Sequence, residues 1–402
     1  MRTYDLAVVG ATGFTGRLVV DHLLRYAPEG MCIALVGRNQ ERLEALPRRP
    51  GMEPVVLDIL NPEHTETLTA SSRVVLTTAG PYSRYGSALV ASCTRNGTHY
   101  VDLAGEVPWI HRMINMWSAE AEGSGACIVH CCGYDSMPSD LGVLVLREEM
   151  IRQGLVPVKI RYALGASSGG FSGGTIHSLL GVLDDARQDR DIAALVSEPN
   201  ALITADRIPP AEAIHGTRSV VAKPHYDALL KNWTVPFFMG VINERVVRRT
   251  NSLLDYPLGP DPDYREVIPL GAGLGGRLSA HGTAMITGIF AGLLFFFPTR
   301  WVLQRFLLPK PGTGPKVALQ GGGNFSVRLT GVSAAGESVS VVVAADRDPG
   351  YGATAIMISE IALLLAETSD TPLPVGFQTP ATAGGLRLVH RLVERGFSFT
   401  LE

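Results

Sequence analysis

The sequence predicts an α/β protein with a doubly wound parallel sheet, followed by a second, α+β domain. Three observations lead to this prediction. In residues 1–150, six short apolar runs alternate with helical patterns, which is typical of a parallel sheet covered on both faces. After about residue 156 the alternation gives way to one strand, a loop rich in glycine and serine, and longer irregular segments. With 402 residues, the chain is also longer than a single hydrophobic core usually serves.

The elements of the first domain follow one another in a regular order. Its six predicted strands cover residues 6–9, 32–36, 54–57, 74–77, 100–103 and 127–131. Helical patterns occupy residues 17–25, 40–46, 87–95 and 109–122. In a doubly wound sheet a ligand binds beyond the carboxyl ends of the strands, so we expect functional residues directly after strands.

The rest of the chain is predicted to form the second domain and a C-terminal part. A strand at 158–164 opens the second domain, and residues 324–330 and 338–345 form a hairpin near its end. Helical patterns follow at 352–367 and 386–395. We therefore expect a first domain over residues 1–150, a second over 151–345, and C-terminal helices and a tail over 346–402 that pack back on the first.

Composition restricts the partners and the compartment. The formal charge is −3, and no long run of Lys or Arg could follow a phosphate backbone, so nucleic acid is not an expected partner. Five cysteines show neither a disulfide-scaffold spacing nor a second ligand pair for zinc. We expect no metal site. With an N-terminus that runs straight into a strand, these features predict a reduced, cytoplasmic protein.

The first chemical motif reads GATGFTG over residues 10–16, between a predicted strand and an amphipathic helix. Glycines at such a junction let the backbone turn tightly and approach a pyrophosphate, whose charge meets the free N–H groups of the helix. This context predicts a Rossmann dinucleotide-binding domain. The expected contacts come from Gly10, Thr12, Gly13, Phe14, Thr15 and Gly16.

The end of the second strand indicates which dinucleotide binds. An NAD enzyme usually carries a carboxylate there, but this chain reads Gly37, Arg38, Asn39. A guanidinium binds the extra phosphate of NADP, which a carboxylate would repel, so NADP is favoured, with Arg38 and Asn39 as the expected contacts. Alternatively, Arg38 belongs to a solvated helix start. Asp58, after the third strand, is either an adenine-side contact or a helix cap.

Further candidates follow strands four to six. Ala79, Gly80, Pro81 and Gly133 are small or rigid enough to let a nicotinamide ring lie against the backbone. The polar side chains expected to point toward the reacting group are Tyr82, Asp102, Glu106 and Tyr134. The alternative role for these polar residues is helix capping. For Ser139 and Asp140 we give helix capping the same weight as a role in the site. A glycine- and serine-rich loop at 166–175 is either a second set of donors or a plain connection.

One stretch is unusually apolar. Residues 284–297 contain no charge and end at Pro298, and Arg300, Arg305 and Lys310 follow. A spanning helix needs about 20 apolar residues, so the shorter stretch suits a buried or interfacial helix better. We expect residues 284–308 to form an apolar wall or lip for a substrate, with peripheral membrane contact as a further possibility.

The chain resembles the saccharopine dehydrogenase-like oxidoreductases and, within them, the bacterial trans-acting enoyl reductases. The matching sequence motifs are GATGFTG, GRN, AGPYSRYG, YVDLAGE, CCGYDSMPSDLG, SGGT and DPGYGATA, which occur in this order along almost the whole chain. The resemblance implies NADP(H) as hydride carrier and an α+β substrate domain. For this type of enoyl reductase it also implies reduction of a C=C bond in an acyl or polyketide thioester carried on a partner synthase or carrier protein.

Alternative activities are weighed against the residues. Short-chain dehydrogenases need a Tyr four residues before a catalytic Lys, and none of the five lysines has one. A saccharopine-type imine or amino-acid reductase needs cations for several carboxylates, to which the apolar stretch is ill suited. A cofactor-binding, lipid-associated protein without turnover stays open. For enoyl reduction we expect Tyr134 as the proton donor, with Tyr82 in reserve, unless these rings only stack or fill the core.

Overall fold

The computed structural model describes residues 2–168, 173–210, 223–295, 299, 322–367 and 372–402. Seven parallel strands form the first sheet: β1 (Tyr4–Val9), β2 (Ile33–Gly37), β3 (Met52–Val56), β4 (Ser72–Thr77), β5 (His99–Val101), β6 (Cys127–Val129) and β13 (Gly376–Gln378). Their order across the sheet is β13-β6-β5-β4-β1-β2-β3. The chain reverses direction across the sheet between β1 and β4, which is the switch point where such folds bind ligands.

Helices connect these strands and cover both faces of the sheet. They are α1 (Phe14–Tyr26), α2 (Gln40–Glu44), α3 (Pro62–Ser71), α4 (Tyr82–Tyr85), α5 (Ser87–Asn96), α6 (Val107–Ser124) and α7 (Met137–Arg152). Local sequence sets their ends: Asn61 caps α3 with Pro62 directly after it, and Gly97, at φ +60°, ends α5. The strands between them, apart from the edge strand β3, are almost fully buried because both faces carry apolar residues.

The second sheet is mixed and also has seven strands. They are β7 (Pro157–Ser168), β8 (His225–Asp227), β9 (Asn232–Pro236), β10 (Asp263–Pro269), β11 (Asn324–Ser333), β12 (Ser338–Ala345) and β14 (Phe397–Leu401), in the order β14-β12-β11-β7-β10-β9-β8. Buried residues alternate with partly exposed ones along β12, so one face of this sheet packs on the core. The helices of this part are α8 (Gly173–Gln188), α9 (Arg190–Ser197), α10 (Gly240–Leu253) and α11 (Gly273–Phe295).

The C-terminal part joins the two sheets. Helix α12 (Thr354–Ala366) packs on α1 and β4, and helix α13 (Pro380–Glu394) packs on α7. The stretch Pro349–Ala366 is apolar and long enough to cross a membrane, but 83% of it is buried inside the protein, as in a core helix. Its one carboxylate, Glu360, is paired with His22 (Nε2 to Oε1, 2.7 Å), and with Arg391 and Arg395 at 2.8 Å each.

The predicted fold class is confirmed: a Rossmann-type parallel sheet precedes a second α+β unit. All six predicted strands of the first sheet form, within a few residues of the expected ends. The seventh strand, β13, was not predicted, because three residues such as Gly376–Gln378 carry too little pattern to be recognised. The tail also differs from expectation, since β14 pairs with β12 in the second sheet.

Candidate active site

A cavity of about 710 Å³ lies at the carboxyl edge of the first sheet and continues into the second domain. Residues that directly follow each of β1 to β6 line it. The sequence-predicted cofactor residues on its wall are Gly10, Thr12, Gly13, Phe14, Thr15, Arg38, Asp58, Ala79, Gly80, Pro81 and Gly133. Both tyrosines proposed for proton transfer, Tyr82 and Tyr134, also line it.

The glycine turn between β1 and α1 is shaped for close approach of a ligand. Gly10 has φ +82°, a left-handed conformation that favours glycine. A Cβ at Gly16 would lie 2.1 Å from the carbonyl oxygen of Gly10, so glycine is needed there to bring α1 onto the strand. Gly16 therefore acts through packing, and it is absent from the cavity wall. No side chain caps α1 at Gly13, which leaves the first N–H groups of the helix for an anion.

The end of β2 presents one cation to the cavity. Arg38 lines the wall beside Gly37, and no carboxylate occupies either position. Asn39 instead caps α2, because its side-chain oxygen accepts a hydrogen bond of 2.8 Å from the N–H of Arg42. Asp58 lines the cavity and also accepts a hydrogen bond of 3.1 Å from the N–H of Leu60. A guanidinium here, with an open helix end nearby, fits the 2′-phosphate and pyrophosphate of NADP.

Tyr82 is held rigidly under the cavity. Its hydroxyl donates to the carbonyl oxygen of Thr77 (3.3 Å) and accepts from the N–H of Leu103 (3.2 Å). Burial raises the pKa of this phenol well above its ordinary value. A hydroxyl that is engaged on both sides by backbone has no proton free for a substrate, so Tyr82 supports the wall.

Two carboxylates, Asp102 and Glu106, were expected to face the reacting group. They lie behind the cavity wall instead and support that wall. Asp102 is fully buried and accepts hydrogen bonds from the hydroxyl of Tyr100 (3.0 Å) and the N–H of Ala104 (2.9 Å). The Nδ1 atom of His130 lies 2.7 Å from the same carboxylate. Glu106 is also buried and accepts from the N–H groups of Tyr82 and Ser83 at 2.8 Å each. Neither carboxylate lines the cavity, and the capping alternative describes Glu106 well.

Tyr134 differs from Tyr82, because no backbone group among the described residues engages its hydroxyl. It follows β6, and its ring edge packs on Phe325 with centroids 4.8 Å apart. In the part of the chain that the structure describes, its hydroxyl oxygen is buried without a hydrogen-bond partner, although Tyr162 and Ser167 flank it. Burial also raises its pKa, so the phenol keeps its proton. An unsatisfied buried hydroxyl on a cavity wall is a site where a ligand atom gains a hydrogen bond.

Sequence reasoning missed a group of acids next to Tyr134. Asp135 lines the cavity, and burial raises its pKa to about 6. Behind the wall, Glu266 accepts hydrogen bonds from the hydroxyl of Tyr264 (2.7 Å) and from Nδ2 of Asn243 (2.8 Å). Burial raises the pKa of Glu266 to about 7. Asp135 could have been found, since it lies in the turn directly after β6, but Glu266 lies on a distant strand without a motif.

The second domain contributes an apolar arm to the cavity. Its lining residues are Leu164, Val182, Leu183, Val196, Phe237, Phe238, Met239, Val241 and Ile242. The predicted wall at 284–308 is wrong for the part that the structure describes, since no residue of 284–295 lines the cavity. Most of these residues are exposed on α11 instead. The remainder of that stretch, apart from residue 299, and residues 169–172 of the predicted donor loop lie outside the described residues. Ser167 and Ser178 on either side of that loop do line the cavity.

The chain is similar to known proteins, both in its first domain and over its full length. Residues 6–129 match the family model described as the saccharopine dehydrogenase NADP binding domain, which identifies NADP as the cofactor and the chain as an NADP-dependent oxidoreductase. A Mycobacterium tuberculosis protein is 34% identical over 415 residues, covering 99% of this chain and 97% of the relative. The trans-acting enoyl reductase of Mycobacterium ulcerans is 33% identical over 412 residues, covering 98% and 97%.

A solved structure shares the fold across both domains. The apo saccharopine dehydrogenase (L-Glu forming) of Saccharomyces cerevisiae superimposes with a TM-score of 0.56 at 12% identity, covering 99% of each chain. At that identity the likeness concerns the fold alone, while the mycobacterial relatives share the sequence over full length. The chain therefore belongs to the saccharopine dehydrogenase-like oxidoreductases and, within them, to the family of the trans-acting enoyl reductases.

Proposed function

We propose that the protein reduces the C=C bond of an α,β-unsaturated acyl thioester with NADPH. One observation carries the proposal: a single cavity has the glycine turn and Arg38 in one arm and an apolar wall in the other. An acyl chain suits such a wall because burial of each methylene is favourable by about 0.8 kcal/mol. The names of the mycobacterial relatives support the same reaction.

The charge of the cavity wall argues against an amino-acid substrate. Among the described residues on this wall, Arg38 is the one Lys or Arg, and it lies in the cofactor arm. A saccharopine-type substrate carries several carboxylates, which would be buried in the apolar arm without a cation. Arg161, one of the arginines that could have served, is instead paired with Asp227 (2.8 Å) and Asp263 (3.0 Å).

The proposed residues divide the work of the reaction. NADPH, when bound, supplies the hydride that adds to the β-carbon of the enoyl thioester. The pair of electrons released from the C=C bond moves onto the thioester carbonyl, and the hydroxyl of Ser167 stands on the wall as a donor toward that oxygen. Tyr134 then transfers its phenolic proton to the α-carbon, which completes the saturated thioester.

Tyr134 must recover its proton after each cycle. Asp135 is adjacent on the cavity wall, and with a pKa of about 6 it exchanges protons readily near neutral pH. The buried hydroxyl of Tyr134 is poorly able to remain ionised because burial disfavours the phenolate. We infer that Asp135 returns the proton to the tyrosine, so the two residues act in sequence.

The substrate is proposed to arrive on a partner. The names of the relatives call them trans-acting, which supports delivery of an acyl or polyketide chain as a thioester on a separate synthase or carrier protein. Phe238 and Val241, which are 39% and 37% exposed, give the cavity wall an apolar margin open to solvent. The five free cysteines support a reducing, cytoplasmic setting for this reaction.

Absorbance of NADPH provides the test. The purified chain is given a panel of 2-enoyl thioesters of increasing chain length, and in parallel a 2-oxo acid with an amine. We expect NADPH oxidation with the enoyl thioesters and none with the second mixture. Imine reduction alone would replace the proposal by the saccharopine-type alternative. Tight NADPH binding without oxidation by any substrate would favour the lipid-associated protein without turnover.

A further inference from the structure

The carboxyl-terminal half of α11 carries a run of apolar residues that is largely uncovered by the rest of the described chain, whereas Leu294 at its end is buried. Residues 285–293, here called the α11 tip, are nine consecutive exposed residues, and none of them is charged. Met285, Ile286 and Ile289 expose 63%, 66% and 57% of their surface. Nine residues make more than two helical turns, so the described residues leave every face of the helix open at this level. A helix that is apolar on all sides is normally surrounded by protein or by lipid.

Aromatic and basic side chains form a collar below the tip. Arg277 and His281 lie two turns and one turn before Met285 on the same helix. The guanidinium of Arg277 lies 5.6 Å from the ring centroid of Trp233, and His281 lies 5.8 Å from it. Tyr226 packs on Trp233 at 6.1 Å. Tryptophan, tyrosine and cations are the residues that anchor proteins at the boundary between lipid and water.

Dimensions and charge both match one leaflet of an anionic membrane. The nine residues of the α11 tip rise about 14 Å along the helix, and the hydrocarbon of one leaflet is about 15 Å thick. Between residues 267 and 336 the sequence contains no Asp or Glu but six Lys or Arg. The described cation of the collar, Arg277, together with the lack of acidic residues in this part of the sequence, favours a surface of acidic lipids, where each cation near the surface contributes about 1 kcal/mol.

We propose that the α11 tip inserts into one leaflet of an anionic membrane while the collar lies at its surface. The inference does not depend on the reaction proposed above. It does explain how a lipid-like chain reaches the cavity: α11 packs on β9, where Trp233 belongs to the collar, and Phe237 directly after β9 lines the apolar arm. Trp233 and Phe237 are four residues apart in extended chain, which is a distance of about 13 Å.

Binding of the full chain to vesicles tests the proposal. Vesicles of phosphatidylcholine are compared with vesicles that contain about 30% phosphatidylglycerol, which supplies the negative surface potential. The test variant is Met285→Ser/Ile286→Ser/Ile289→Ser. The matched control is Met116→Ser/Val158→Ser/Val393→Ser, which removes three comparably exposed apolar side chains elsewhere. NADPH affinity and the urea midpoint show that each variant is folded.

We expect the unmodified chain to float with the acidic vesicles and the tip variant to bind them at least tenfold more weakly, with the control unchanged. Raising salt from about 0.1 M to about 0.5 M should weaken the binding of the unmodified chain, because charge attraction is screened. An Ile289→Trp variant should have its added fluorescence quenched by lipids brominated in the acyl chains. Absence of vesicle binding, or equal binding by tip variant and control, overturns the proposal. A concentration-dependent dimer that the tip variant abolishes would assign the surface to a second copy instead.

Discussion

The hydroxyl of Ser178 donates a hydrogen bond of 2.9 Å to Oε1 of Glu106. Ser178 lies on α8 of the second domain, whereas Glu106 precedes α6 of the first. The same carboxylate accepts the N–H groups of Tyr82 and Ser83. One buried carboxylate thus joins the loop after β4 to a helix of the second domain, and it holds together Tyr82 and Ser178, which both line the cavity.

Glu106→Gln should loosen this junction. The amide keeps one acceptor oxygen, but its NH₂ group faces an N–H donor, so we expect a loss of about 1–3 kcal/mol in the free energy of unfolding. Urea unfolding measures the loss, and we also expect weaker NADPH binding, because the loop after β4 lines the cofactor arm. Glu120→Gln, at an exposed position of α6, is the control. Equal stability of both variants would show that the junction contributes little.

Arg38→Ala should narrow the preference for NADPH over NADH. The guanidinium is the cation that lies where the 2′-phosphate is expected, and one charge-assisted contact is worth about 1.5–3 kcal/mol, or roughly ten- to hundredfold in affinity. Titration with both cofactors gives the ratio, and Arg48→Ala, an exposed arginine absent from the cavity wall, is the control. Equal affinity for NADPH and NADH in the unmodified protein would contradict this role for Arg38.

The variants Tyr134→Phe and Tyr82→Phe should have different effects, the first mainly on the rate of reduction and the second mainly on stability. The first removes the buried hydroxyl that we propose as the proton donor, so the rate of enoyl reduction should fall by about 10² to 10⁴ with NADPH affinity unchanged. The second leaves the N–H of Leu103 without its acceptor, so we expect lower stability and a smaller loss of rate. Rates and urea midpoints of both variants separate the two effects. A full rate in Tyr134→Phe would move the search for the proton donor to Asp135.

Glu266 should make stability depend on pH. Its pKa is raised to about 7 in the fold, above that of an exposed glutamate, so the folded state holds a proton that the unfolded chain releases. Its contribution is present at low pH and is lost as the pH rises from about 4.5 to about 7, by at most about 1.4 kcal/mol per pH unit. Glu266→Gln should lower that slope in urea unfolding between pH 5 and 8. The pKa values of Asp135 and Asp140 are both raised to about 6, so these two residues leave the variant with a smaller pH dependence of stability of the same sign. An unchanged slope in the variant would show that Glu266 is ionised in the fold.

Sequence patterns predicted those residues of the site that lie in the turn directly after a strand. The glycine turn and Arg38 each follow a strand directly, and a strand followed by a turn has a recognisable pattern. The contact between Glu106 and Ser178 joins residues that are far apart, and neither residue carries a motif. The apolar stretch on α11 shows a different limit: hydrophobicity marks Ile286 and Ile289 as candidates for burial, but it does not say which surface they meet. The cavity wall came instead from the shorter apolar stretch around Phe237.

Strand β13 lies beside β6 in the first sheet, although the whole second domain up to β12 separates them along the chain. A ribosome synthesises the amino end first, so the edge of β6 stays open while that domain is being made. An open strand edge offers unpaired N–H and C=O groups to any other extended chain. The nascent protein therefore exposes this edge from the synthesis of β6 until β13 emerges, and a chaperone that shields the nascent chain would act during that interval.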